Sequence, residues 1–210
     1  MKLIVLGLFA TFCFAGSPLR SPQLAPITLF TQYQQPAPQG IVDALQEEVA
    51  SILASVGFHF EWHDLSTSKA AGPAVELAVV TFRGNCDVPG IWQRNPDRPK
   101  ALGFTSVTDG EILPFTTVDC DRTGGFLAQS LSRLPVNERP TAFGRALGRI
   151  LAHELFHIFA KTQRHGHGGV AKQAYTVGDL MADEFELEEA ECDLLRSSPS
   201  YNLLTLPFTR

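Results

Sequence analysis

The sequence predicts an α+β domain: a small mixed twisted sheet with an N-terminal helix, a central helix and a C-terminal helix. Three observations point there. Short segments that alternate apolar and polar residues recur between residues 27 and 120. A segment of helical period follows the first of them. A long apolar segment of helical period follows the last. No internal repeat or low-complexity tract interrupts this order.

"ITLFTQY" alternates and reads as the first strand. "GIVDALQEEVASILASVG" places Ile41, Leu45, Val49, Ile52 and Leu53 on one helical face, with Gly57 as a stop. "FHFEWHDL" sets Phe58, Phe60 and Trp62 against His59, Glu61 and His63, a half-buried strand whose histidines face solvent. On a strand that histidine spacing spans some ~13 Å, which argues against a shared metal. "AVELAVVTFRG" is a third strand, and residues 87 to 100 read as a loop rich in Pro, Asp and Arg. "ALGFTSV" and "ILPFTTVDC" flank "TDGE", a turn between two short strands. A glycine-containing segment leads to "NERPTAFGRALGRILAHELFHIFAKT", a helix with Pro140 in its first turn. "TVGD" is a capping-box pattern that starts a short helix at Thr176 and Asp179. "MADEFELEEAE" reads as the solvated face of the final helix, with Phe185, Leu187, Ala190 and Leu194 among its apolar residues.

The N-terminus has another character. Lys2 precedes an apolar run from Leu3 to Phe14, and the small residues Ala15, Gly16 and Ser17 follow. This is the layout of a secretory signal peptide, and the run is short for a membrane span. We assign residues 1–16 to that signal, with Ala15 as a cleavage position, and residues 17–210 to a single domain. The expected location is secreted or periplasmic, with no stable membrane insertion after cleavage. Loss of Lys2 takes the formal charge from −5 to −6. Such acidity argues against a nucleic-acid partner, which would be met by a basic stripe. Export permits disulfides. Cys86 and Cys120 each end a strand-like run, so we expect them to pair, leaving Cys192 odd. The loop closed would be about 35 residues, a stabilisation of roughly 3–4 kcal/mol in the chain-entropy model.

Four of the six histidines fall in "AHELFHIFAKTQRHGHGG". His153 and His157 are four apart on a predicted helix, which brings their side chains to one face, roughly 5–6 Å apart at Cβ. Two imidazoles there can share a zinc ion, and Glu154 can serve as base toward its water. This is the content of His-Glu-x-x-His. Chance would place the pattern somewhere in a chain of this composition only about 1 % of the time. The competing reading is a helix that turns this face to water. Inside an apolar helix, unpaired burial of these groups would cost several kcal/mol. A catalytic zinc takes three protein ligands. His165 is the candidate third, since the glycines of "RHGHGG" let the chain reverse. His167 and a carboxylate of "MADEFELEEAE" are the alternatives.

The stretch "HELFHIFAKTQRHGHGGVAKQAY" resembles the zinc metallopeptidases of the zincin group, metzincins in particular, which carry HExxHxxGxxH and a Met-turn. It is more similar to secreted bacterial proteins with the pattern HExxHxLxGxxxHSxxGIM. In that register His165 is the third ligand. Phe159 stands at the Leu, Lys161 at the first Gly, Gly166 at the Ser, Gly169 at the Gly of GIM, Val170 at its Ile and Ala171 at its Met. Met181 is left as a candidate for a Met-turn role. The resemblance covers residues 149 to 180. It implies a zincin-like, metzincin-like fold, with His-Glu-x-x-His on the central helix and an edge strand above the site. "ALGFTSV" or "ILPFTTVDC" would be that edge, aligning an extended peptide.

The implied activity is that of a secreted zinc metalloendopeptidase acting on a peptide or protein substrate. Zn2+ would be held by His153, His157 and His165, with Glu154 as general base. Tyr175 is a candidate donor to the oxyanion, against the simpler reading of a packing tyrosine. The alternatives are a non-catalytic zinc-binding exported domain and a zinc amidohydrolase acting on a non-peptide substrate. Glu154 argues against the first, because a structural site needs no base.

Overall fold

A computed structural model describes residues 24–67, 74–88 and 101–205. The expected signal segment at residues 1–16 and most of the expected loop at 87 to 100 lie outside the described residues. Five strands form one sheet: β1 (Ile27–Tyr33), β2 (Phe60–Asp64), β3 (Leu77–Arg83), β4 (Gly103–Thr108) and β5 (Glu111–Asp119). Their order is β2-β1-β3-β5-β4. The first four in that order run parallel, and β4 pairs antiparallel with β5 along one edge. The β4–β5 turn forms where "TDGE" predicted it, with Asp109 and Gly110 at φ of 51° and 82°. Alternation is strict in β3, where Ala78, Val80 and Phe82 are fully buried, whereas β1 buries Thr28 on one face as well as Ile27, Leu29 and Thr31 on the other.

The helices are α1 (Gln39–Leu53), α2 (Cys120–Arg133), α3 (Arg139–Ala160), α4 (Val177–Met181), α5 (Glu189–Arg196) and α6 (Pro199–Leu204). The inward faces of β1 and β3 join Ile41, Leu45 and Ile52 of α1 and Leu147, Leu151 and Leu155 of α3 in one core. Pro140 lies in the first turn of α3, as read from the sequence. Asp119 caps α2 by accepting from the Arg122 amide at 2.9 Å. Cys86 and Cys120 form a disulfide that joins the end of β3 to the start of α2. Cys192 is free and buried. No helix among the described residues is long and apolar enough to cross a membrane.

Three expectations need correction. The glycine-containing segment after β5 is the fourteen-residue helix α2. Its buried Cys120, Thr123, Leu127 and Leu131 hold helical spacing that Gly124 and Gly125 obscure in the sequence. The acidic run is not one helical face. Residues 182–188 cross between α4 and α5 without helix, because that path lets Phe185 and Leu187 pack against the core. His63 is half-buried with its ring 5.8 Å from that of Phe30, whereas His59 is exposed as expected.

α1 and α3 approach so closely that Gly144 and Gly148 lie against the α1 backbone. A Cβ on Gly144 would sit 2.6 Å from the Ile41 carbonyl oxygen, and one on Gly148 2.8 Å from that of Leu45. Two glycines four apart thus make the flat strip on which α1 rests. Gly144→Ala is expected to lose about 1–2 kcal/mol, since overpacking outweighs the gain in helix propensity. A thermal melt should show the midpoint about 3–6 °C lower. An unchanged midpoint would mean that the helices do not depend on this close approach.

Candidate metal centre

α3 is buried along most of its length, from Phe143 to Phe159. It carries Arg149, His153, Glu154 and His157 inward with its apolar residues. Polar groups at such depth need partners, and each of the four has at least one, although Nη2 of Arg149 is buried with no hydrogen-bond acceptor among the described residues. Arg149, only 1 % exposed, donates from Nε to Glu48 at 2.6 Å and from Nη1 to the Asp179 carbonyl at 3.0 Å. Glu48 also pairs with Arg145 at 3.0 Å.

The two helix histidines are held from behind by backbone. Nδ1 of His153 lies 2.7 Å from the Val170 carbonyl oxygen, and Nδ1 of His157 lies 2.7 Å from that of Thr162. A carbonyl can only accept, so each Nδ1 carries the proton and each Nε2 keeps its lone pair. The two Nε2 atoms converge to 3.0 Å. Zinc with nitrogens at 2.0–2.1 Å in tetrahedral geometry would separate them by about 3.3–3.4 Å. Two lone pairs facing each other so closely repel unless a cation lies between them.

His165 joins them from the loop after α3. The ligand-capable atoms of His153, His157 and His165 all lie within 4.8 Å of one another, so this triad could hold a metal ion. His165 is exposed while its two partners are buried, which leaves the cluster open on one side. The loop returns through Gly166, whose N–H donates to the Ala171 carbonyl at 2.8 Å. Among the described residues, no carboxylate and no second histidine of the loop belongs to the cluster.

Glu154 points toward strand β4. Its Oε2 accepts from the Thr105 hydroxyl at 2.7 Å. A Cβ on Gly103 would lie 2.9 Å from its Oε1, so the edge strand runs directly against the carboxylate. Among the described residues, β4 rather than β5 is therefore the sheet edge beside the site.

Burial sets the protonation of the cluster's side chains. Desolvation, reinforced by the neighbouring His157, lowers His153 to about 4. Desolvation lowers His157 as well. Both rings are therefore neutral near pH 7, the form that binds metal. Desolvation raises Glu154 to about 7, against the Thr105 hydrogen bond.

Tyr175 lies on the Nδ1 side of His153. Its hydroxyl donates to the Val170 carbonyl and sits 3.2 Å from His153 Nδ1. Its ring packs edge-on against His153 and Phe185, and Phe185 in turn lies under the Arg149 guanidinium at 5.0 Å. His167 is exposed. Met181 ends α4 and is partly buried against the core. Thr176 and Asp179 form the capping box expected of them. The reading of the motif missed Arg149 and Thr105. Arg149 stands one turn before His153, a signal that spacing offered; Thr105 left none.

No family model matches the chain, and no curated protein matches it. Among solved structures, archaemetzincin from Methanopyrus kandleri is similar, at a TM-score of 0.44 and 15 % identity. The match covers 84 % of this chain and 96 % of that one. At that level the likeness carries no argument about function, which rests instead on the chemistry of the residues.

The end of α3 carries a cost that can be measured. Lys161 adopts the left-handed conformation, at φ 51° and ψ 42°, and its N–H closes on the His157 carbonyl. That turn brings the Thr162 carbonyl back to the His157 ring. Glycine adopts this conformation without the penalty of a side chain, offset in part by its greater freedom when unfolded. Lys161→Gly is expected to stabilise the protein by about 0.5–1 kcal/mol. The melting midpoint should rise by about 1–4 °C. A fall would mean that the lysine side chain supports the turn in a way its backbone does not reveal.

Proposed function

We propose that this chain is a secreted zinc-dependent metallopeptidase that cleaves within peptide chains. One observation carries the reading. Two buried imidazoles turn unprotonated nitrogens toward each other, and a third histidine completes the triangle on the open side. The donor set is all imidazole, which suits zinc. His153, His157 and His165 would hold the ion. Bound there, zinc would acidify a water toward neutrality and polarise a carbonyl.

The chain's own residues supply the rest. Glu154 is adjacent to the first ligand and is raised toward neutral pH by burial, which suits it to accept a proton and release it to a leaving nitrogen. Thr105 orients that carboxylate. β4, the edge strand among the described residues, would offer backbone groups to an extended peptide, an arrangement that favours a peptide over a small amide. Tyr175 fits a positioning role behind His153 better than oxyanion stabilisation, because its hydroxyl is engaged on the Nδ1 side. The disulfide is compatible with an exported protein.

Elemental analysis of the purified protein should find one zinc per chain, lost in both His153→Ala and His165→Ala. Glu154→Gln should keep the zinc and lower peptide-library cleavage by 10²-fold or more. Absence of zinc after reconstitution would sink the proposal. Zinc retained with no cleavage of any peptide would overturn the peptidase reading and leave a zinc-binding domain or a zinc amidohydrolase of a non-peptide substrate. Zinc lost in His153→Ala but kept in His165→Ala would move the third ligand elsewhere.

A further inference from the structure

Glu191 belongs to the acidic run that the sequence presents as a solvated face, yet it is 4 % exposed. Its carboxylate points back to the loop that carries His165. It accepts from the backbone N–H groups of Val170 at 3.2 Å, Ala171 at 2.5 Å and Glu188 at 2.7 Å. A buried carboxylate with three N–H donors is well satisfied and holds those donors in place.

The peptide unit between Val170 and Ala171 matters most. Its N–H donates to Glu191, and its carbonyl oxygen takes Nδ1 of His153 and the hydroxyl of Tyr175. The unit is planar and rigid, so fixing one end orients the other. The next carbonyl, that of Ala171, accepts from Gly166 beside His165. One carboxylate on α5 is thus two links from His153 and two links from the neighbour of His165. The loop is shaped for this contact. Gly169 has φ +61°, and a Cβ there would lie 2.5 Å from a Glu191 oxygen.

We infer that Glu191 is a positioning residue for the metal centre: through the Val170–Ala171 peptide it orients His153 and holds the His165 loop in reach. The inference rests on the metal-site reading above. Removing such an outer partner typically weakens metal binding 10–100-fold without touching a ligand.

The test is zinc affinity, by competition with a chromogenic chelator, on the folded protein. Glu191→Gln keeps the shape and one acceptor oxygen but removes the charge and the second acceptor. It should bind zinc about 10–100-fold more weakly than wild type. Glu188→Ala removes the other half of the capping box that opens α5, where the Glu188 side chain receives the Glu191 N–H. It should leave zinc affinity unchanged. Equal losses in both variants would mean that Glu191 acts only by capping α5, and would overturn the inference. So would wild-type affinity in Glu191→Gln while His153→Ala binds no zinc, an outcome that leaves the metal site standing. No zinc in the wild type would remove the site and this inference with it. Hydrogen exchange on the metal-free wild type decides even if Glu191→Gln does not fold. The Val170 and Ala171 amides should be protected, and exchange at the rate of an open loop would overturn the assignment.

Discussion

The structure depends on a single constraint: α3 is buried along most of its length and carries charged and polar groups inside. Each buried group left unsatisfied would cost roughly 1–3 kcal/mol, more for a charge. Arg149, His153, Glu154 and His157 therefore draw partners from across the fold. α1 supplies Glu48, β4 supplies Thr105, the turn after α3 supplies the Thr162 carbonyl, and the following loop supplies that of Val170. α4 adds the Asp179 carbonyl. The same contacts that give these groups their partners assemble the site.

The partners also sort the four groups by chemistry. Carbonyl acceptors behind the histidines select one tautomer and leave Nε2 free to bind metal. A hydroxyl donor on Glu154 fixes its carboxylate beside the sheet edge. Arg149 meets a carboxylate, and its charge is neutralised within the core. Imidazole, carboxylate and guanidinium lie within two turns of one helix, each with a complementary partner. Among the described residues, the histidine cluster is open on the side where the exposed His165 meets solvent.

Much of this is legible in the sequence where the signal is local. β1 and β2 appear as alternation, β3 as a strand-like run, β4 and β5 as short strands flanking the Asp109-Gly110 turn, and the entry to α3 as Pro140. The Cys86–Cys120 pair follows from two cysteines at the ends of strand-like runs, once those strands lie side by side. α2 was hidden because Gly124 and Gly125 read as a break, while its cap at Asp119 and its buried face are ordinary helix signals. The acidic run misled for a physical reason. A carboxylate is normally solvated, and only three backbone donors brought together by the fold make the burial of Glu191 favourable.

By itself the sequence determined which side chains α3 presents together, because a spacing of four places two residues on one face of any α-helix. It determined that His153 and His157 stand side by side with Glu154 next to them. Tertiary structure decided what those residues face. The tautomers of the histidines, the approach of His165, the contact of Thr105 with Glu154 and the anchoring by Glu191 all join residues five to forty-nine positions apart. Those contacts depend on the path of loops and on which strand lies at the sheet edge. Helical periodicity carries no information about either.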